Sequence, residues 1–137
     1  MAIQPGSPAW AIPLCRTRDP VIERDAIHRL VMADQVAAAG ALGELWRREP
    51  SLATASFVVS QFETLRPNLS LLPYRVAIAR SFTVEPVIPL LRAEAFVAGI
   101  DLAVHSGSFN AYAQELLDPK SSLYQFTPDA IFLAVQT

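Results

Sequence analysis

From Val21 onward, apolar residues recur at the three- and four-residue spacing of one helix side. Ile22, Ala26, Leu30 and Val31 share a flank, while Glu23, Arg24, Arg29 and Asp34 mostly take the other. The pattern predicts a helix to about Ala39, stopped by Gly40, then a shorter helix through Leu42, Leu45 and Trp46 that ends at Glu49-Pro50. Ser51 has the side chain of an N-cap, and beyond it Leu52, Ala55, Val58, Val59, Phe62 and Leu65 keep the helical period up to Arg66-Pro67. Residues 21–66 are therefore predicted to form a helical hairpin or three-helix layer.

The period then changes. Residues 67–73, with proline at both ends, read as a connector, and Tyr74-Arg75-Val76-Ala77-Ile78-Ala79 is a short apolar run suited to a strand covered on both faces. Leu90, Leu91, Ala95 and Val97 predict a helix from Pro86 or Pro89 to Ala98, ended by Gly99, and residues 100–105 predict a second strand. A short helix over 110–117, a turn at Asp118-Pro119-Lys120-Ser121-Ser122, one helical turn over 123–126 and a third strand over 129–135 follow. This order predicts an α/β fold in residues 74–137: a three-stranded parallel, doubly wound, flavodoxin-like sheet with right-handed crossovers, expected to be C-terminally incomplete. Residues 1–20 contain four prolines and are predicted to be extended and poorly ordered, with Trp10 and Ile12 as their docking side chains.

Composition narrows the class. With 137 residues and 52% of them apolar, the chain can build one domain with a core, or a small domain plus an extension. A net charge of −2 supplies no field for collecting phosphate backbones, so neither nucleic acid nor an anionic membrane is an expected partner. Cys15 has no second cysteine to pair with, and the N-terminus lacks a basic segment ahead of its apolar residues. No run approaches the roughly 20 apolar residues of a membrane span, and a cytoplasmic location is expected.

In an open parallel sheet, ligands bind beyond the carboxyl ends of the strands. Three loops lie there: 80–83, 105–110 and Gln136-Thr137. Ser81 and Thr83 can serve as helix caps; alternatively Ser81 is a nucleophile or anion contact beside Phe82 and Thr83, with His105 as its base. His28, on the first helix, reads as solvated. Gly107 suits a turn that needs positive φ and Asn110 suits a helix cap, and both are fit to line a small polar pocket. The candidate catalytic residues are thus Ser81 and His105, and the candidate ligand-binding residues Phe82, Thr83, Gly107 and Asn110. There is no H-x-x-E-H, paired-cysteine or D-x-D spacing and no glycine-rich phosphate loop, so no metal or cofactor is expected in this chain.

Several of these segments resemble one family. Ala79-Arg80-Ser81-Phe82-Thr83-Val84-Glu85-Pro86, Gly107-Ser108-Phe109-Asn110-Ala111-Tyr112, the run from Glu115 to Tyr124, and Pro128-Asp129-Ala130-Ile131-Phe132-Leu133-Ala134 are similar to the N-terminal region of FkbH-like proteins, as is Leu45-Trp46-Arg47-Arg48-Glu49-Pro50. The likeness covers residues 25–137. FkbH-like proteins belong to phosphatase subfamily IIIC of the haloacid dehalogenase superfamily and serve polyketide-type pathways. The resemblance implies transfer of a glyceryl group from 1,3-bisphosphoglycerate to an acyl carrier protein, with loss of phosphate.

It also implies an SGNH hydrolase-like N-terminal fold in which Ser81 occupies the nucleophile position of a G-D-S-L-T block, with Ala79 and Arg80 in place of its Gly and Asp. No Asp-x-x-His follows the third strand and no D-x-D occurs, so the family's chemistry, and its Mg2+, are expected in sequence beyond Thr137. The expected role is a scaffold or carrier-docking domain of a glyceryl-loading protein, partnered by an acyl carrier protein or a downstream catalytic domain and not catalytic alone. The alternatives are an SGNH-like esterase or acyl-binding hydrolase using Ser81, and an oligomerisation module in which an open sheet edge builds a homo-oligomer.

Overall fold

A computed structural model describes residues 20–137. The expectations for Trp10, Ile12 and Cys15 fall outside the described residues.

Three helices open the fold: α1 (Pro20–Ala33), α2 (Gln35–Arg48) and α3 (Leu52–Leu65). The first break comes at Asp34, not at Gly40 as the spacing predicted. The Asp34 carboxylate accepts the Ala37 N–H at 3.1 Å and so satisfies an orphan donor of a new helix. Gly40 lies inside α2, and nothing stands within 4 Å of where its Cβ would be. A cap that pairs a donor decides where the helix turns, whereas an interior glycine only weakens it. Ser51 caps α3, its hydroxyl accepting the Thr54 N–H at 3.2 Å.

The helical layer does not close its core alone. Leu42, Leu45, Trp46, Val58, Phe62 and Leu65 pack together with Ala93 and Phe96 of α4 (Val87–Val97). Phe62 and Phe96 meet at a centroid distance of 5.0 Å, and Trp46 Nε1 donates to Glu94 at 2.6 Å. Arg92 of α4 pairs with Glu63, and Arg66, just past α3, reaches Asp101 at 2.8 Å.

The sheet consists of β1 (Leu72–Arg80), β2 (Ile100–Ser106) and β3 (Ala130–Ala134) in the order β2-β1-β3, with both pairings parallel. Val76 is level with Val104 on one side and Ala130 on the other. β1 starts two residues before the predicted Tyr74, because the Leu72 N–H donates to Gly99 O at 3.0 Å and extends the ladder with β2. Pro73 is tolerated there, since β3 pairs only from Val76 and the earlier residues are flanked on one side.

Side chains of β1 alternate between two helical covers. Val76 and Ile78 pack with Val84, Ile88, Leu91, Leu102 and Val104 on the α4 face. Ala77 and Ala79 pack with Leu123, Tyr112, Leu116 and Phe126, carried by α5 (Tyr112–Leu117) and α6 (Ser122–Gln125) and the residue after it. The fold is thus α/β, with helices on both faces of a parallel sheet: the β1-to-β2 crossover runs over one face and the β2-to-β3 crossover over the other. No described helix is long and apolar enough to cross a membrane.

Two substitutions in α2 separate capping from propensity. Gly40→Ala should raise the unfolding free energy by about 0.5–1 kcal/mol, and Asp34→Ala should lower it by about 1 kcal/mol, both read from urea denaturation followed by circular dichroism.

Candidate functional site

Parallel strands bring the exits of β1, β2 and β3 to one end of the sheet. At that end the backbone is stapled across all three. The Ser81 N–H donates to Ala134 O at 2.9 Å, and its hydroxyl oxygen accepts the Gln136 N–H at 2.8 Å. On the other side, the Gly107 N–H donates to Ile78 O at 2.9 Å, Arg80 Nε donates to Gly107 O at 2.7 Å, and the Asn110 N–H donates to Arg80 O at 3.2 Å. The Arg80 side chain, 13% exposed, also pairs with Glu85 at 2.9 Å.

Glu115 lies beneath this end and is only 8% exposed. One carboxylate oxygen accepts the Ser108 N–H at 2.9 Å; the other is buried without a hydrogen-bond partner. A Cβ on Gly107 would stand 2.2 Å from that second oxygen and 3.2 Å from Ile78 O. Gly107 therefore provides space for a buried carboxylate rather than a left-handed backbone. Asn110 takes the left-handed conformation instead, at φ 57°, and the N-cap position of α5 falls to Ala111, which makes no side-chain cap. The two roles expected of Gly107 and Asn110 are thus redistributed.

Ser81 and His105 are not brought together. His105 is level with Ala77, four residues before Ser81, which is about 13 Å along the strand direction, whereas a general base works within about 3 Å of the proton it takes. His105 Nε2 lies 3.3 Å from Ser122 Oγ, and its ring stacks on Phe126 at 5.3 Å, with the Arg75 guanidinium 4.4 Å from the centre of that same phenyl ring. His28 is exposed, as expected, and its Nδ1 lies 3.1 Å from Gln61 Oε1.

Phe82 and Thr83 sit exposed in the loop after Ser81. Neither Ser81 nor Thr83 caps α4, whose N-cap position is Pro86 without a side-chain bond. Ahead of that helix, the Glu85 carboxylate accepts the Val84 N–H at 3.1 Å. Among the described residues, no group of three or more His, Cys, Asp or Glu side chains could hold a metal ion.

Arg80 and Gln136 fall in the strand-end loops that the sequence marks out, but neither they nor Glu115 are among the candidate site residues. Glu115 had a signal: it falls three residues after Tyr112 and one before Leu116, the two α5 residues that face the sheet, so helical spacing turns it inward. Gln136 acts through its backbone N–H, for which side-chain identity gives no sign. No family model, curated protein or solved structure matches the chain.

The contact between Gly107 and Glu115 can be measured by a double-mutant cycle. Gly107→Ala should destabilise by about 1–3 kcal/mol, because the carboxylate must swing away and release the Ser108 N–H. In a Glu115→Ala background the same methyl group should cost much less, and thermal melts of the four proteins give the coupling. Ser81→Ala should cost about 1 kcal/mol through loss of the Gln136 bond, read in the same assay.

Proposed function

We propose that this chain is a scaffold and carrier-docking part of an FkbH-like glyceryl-loading protein, and that it does not catalyse the transfer by itself. The observation that carries this reading is the commitment of Ser81. Its oxygen accepts the Gln136 N–H and its own N–H donates to Ala134, so the residue in the nucleophile position is engaged in holding β1 to β3. Its proposed base is held by Ser122 and Phe126. The N–H groups of Gly107, Ser108 and Asn110 likewise donate to partners within the chain, which keeps them from stabilising a developing oxyanion.

The resemblance of the loop segments to the FkbH-like N-terminal region supplies the pathway, and the absence of D-x-D from these 137 residues separates the chain from the phosphatase chemistry. In this reading the partners are an acyl carrier protein or a catalytic domain, Mg2+ belongs to the phosphatase part, and the location is cytoplasmic.

Phosphopantetheinylated carrier protein and 1,3-bisphosphoglycerate incubated with the chain should yield no glyceryl thioester by mass spectrometry; a thioester at levels above a protein-free control overturns the reading. A serine-reactive fluorophosphonate should leave the chain unlabelled. Labelling that disappears in Ser81→Ala would instead establish the esterase alternative.

A further inference from the structure

Among the described residues, two that are not glycine have positive φ: Asn110 at 57° and Thr127 at 51°. Asparagine is one of the few side chains that tolerate this region. Thr127 is a different case, because it is branched at Cβ and stands directly before Pro128, and each of these features favours a negative φ. Such a conformation persists only where the surrounding structure fixes the chain around it. Here one residue of β1, Arg75, fixes both sides. Ahead of Thr127, the Arg75 guanidinium lies 4.4 Å from the centre of the Phe126 ring, which also stacks on His105 at 5.3 Å. Behind it, Asp129 donates its N–H to Arg75 O at 2.7 Å and accepts the Arg75 N–H at 2.8 Å. Phe126 and Asp129 are thus pinned to the same strand position, and the chain between them closes through the strained Thr127.

The two anchors are unequal. Asp129 is held by two hydrogen bonds to backbone, whereas Phe126 is held through its ring by a guanidinium on an exposed residue. The segment ahead of Phe126 has little strength of its own, since α6 is four residues long and rests on the burial of Leu123 against Ala77 and Ala79. We propose that residues 122–127 are a latch under tension. When the Arg75 guanidinium leaves the Phe126 ring, Thr127 returns to negative φ and α6 lifts from β1 as a unit, uncovering the apolar seat that Leu123 fills. Strain at Thr127 drives the opening, and the contact of Arg75 with Phe126 opposes it. The latch is independent of the glyceryl-loading reading and stands or falls separately from it.

Native-state amide exchange of the full chain in increasing urea tests this. The N–H groups of Gln125, Phe126 and Thr127 donate to carbonyls of Ser121, Ser122 and Tyr124 at 2.9–3.0 Å, so they report whether the segment is closed. They should exchange through a step that urea does not accelerate, at least about tenfold faster than the amides of Val76 to Ala79, which open with the whole fold. Thr127→Gly should slow Gln125 and Phe126 by about threefold to tenfold, because the strain relieved exceeds the backbone entropy that glycine adds. Arg75→Met, which keeps an apolar stem and removes the cation, should speed the three amides by about threefold to fivefold. Exchange of these amides with the urea dependence of β1 overturns the proposal, and that readout needs no variant to fold. So does an absence of slowing in Thr127→Gly, or unchanged exchange in Arg75→Met.

Discussion

Four consecutive residues of one strand, Val76, Ala77, Ile78 and Ala79, are buried on both faces of the sheet at once, and this double burial organises the molecule. A strand in that position needs a hydrogen-bonded neighbour on each side and a helix over each face, because its backbone groups have no water to turn to. The chain supplies all four. β2 and β3 flank it, α4 covers the branched residues, and α5 with α6 covers the alanines, whose small side chains leave room for Leu123 to be fully buried against the strand. The two crossovers run over opposite faces, so both are filled, and the common direction of the three strands gathers their exits at one end.

What sits at that end is a set of polar groups that answer one another. Ser81, Gly107 and Arg80 tie β1 to the segments after β2 and β3, and Glu115 supports the same turn from below. Here the Ser81 hydroxyl oxygen and the amides of Ser81, Gly107, Ser108, Asn110 and Gln136 are drawn into the fold, and His105 lies lower on the sheet, stacked on Phe126.

The elements were legible where a single period ran uninterrupted. Val76 to Ala79, the apolar run of β3 and the Leu52-to-Leu65 helix all declared themselves, because burial on a fixed face leaves a repeat in the sequence. The break at Asp34 was hidden by the glycine six residues on, since a cap competes through one hydrogen bond that no periodicity records. The site was less legible for a related reason. Ser81 follows β1 and His105 lies on the adjacent β2, but register decides which residues are level, and it sets His105 beside Ala77. At Gly107 the missing side chain matters and not backbone freedom, a distinction that only the Glu115 carboxylate makes visible.

The shared seam between the helical layer and α4 has a mechanical consequence. Phe96 and Ala93 are buried by residues that come before the sheet in the chain, and Glu94 meets the indole of Trp46 across the same boundary. Any force or protease that parted the chain in the stretch before β1 would leave the α/β half with an uncovered aromatic ring and the helices with a hollow where it had been. The amino-terminal layer thus behaves less as an appendage than as the outer wall of the sheet's own cover, and loosening it would be felt at the strands.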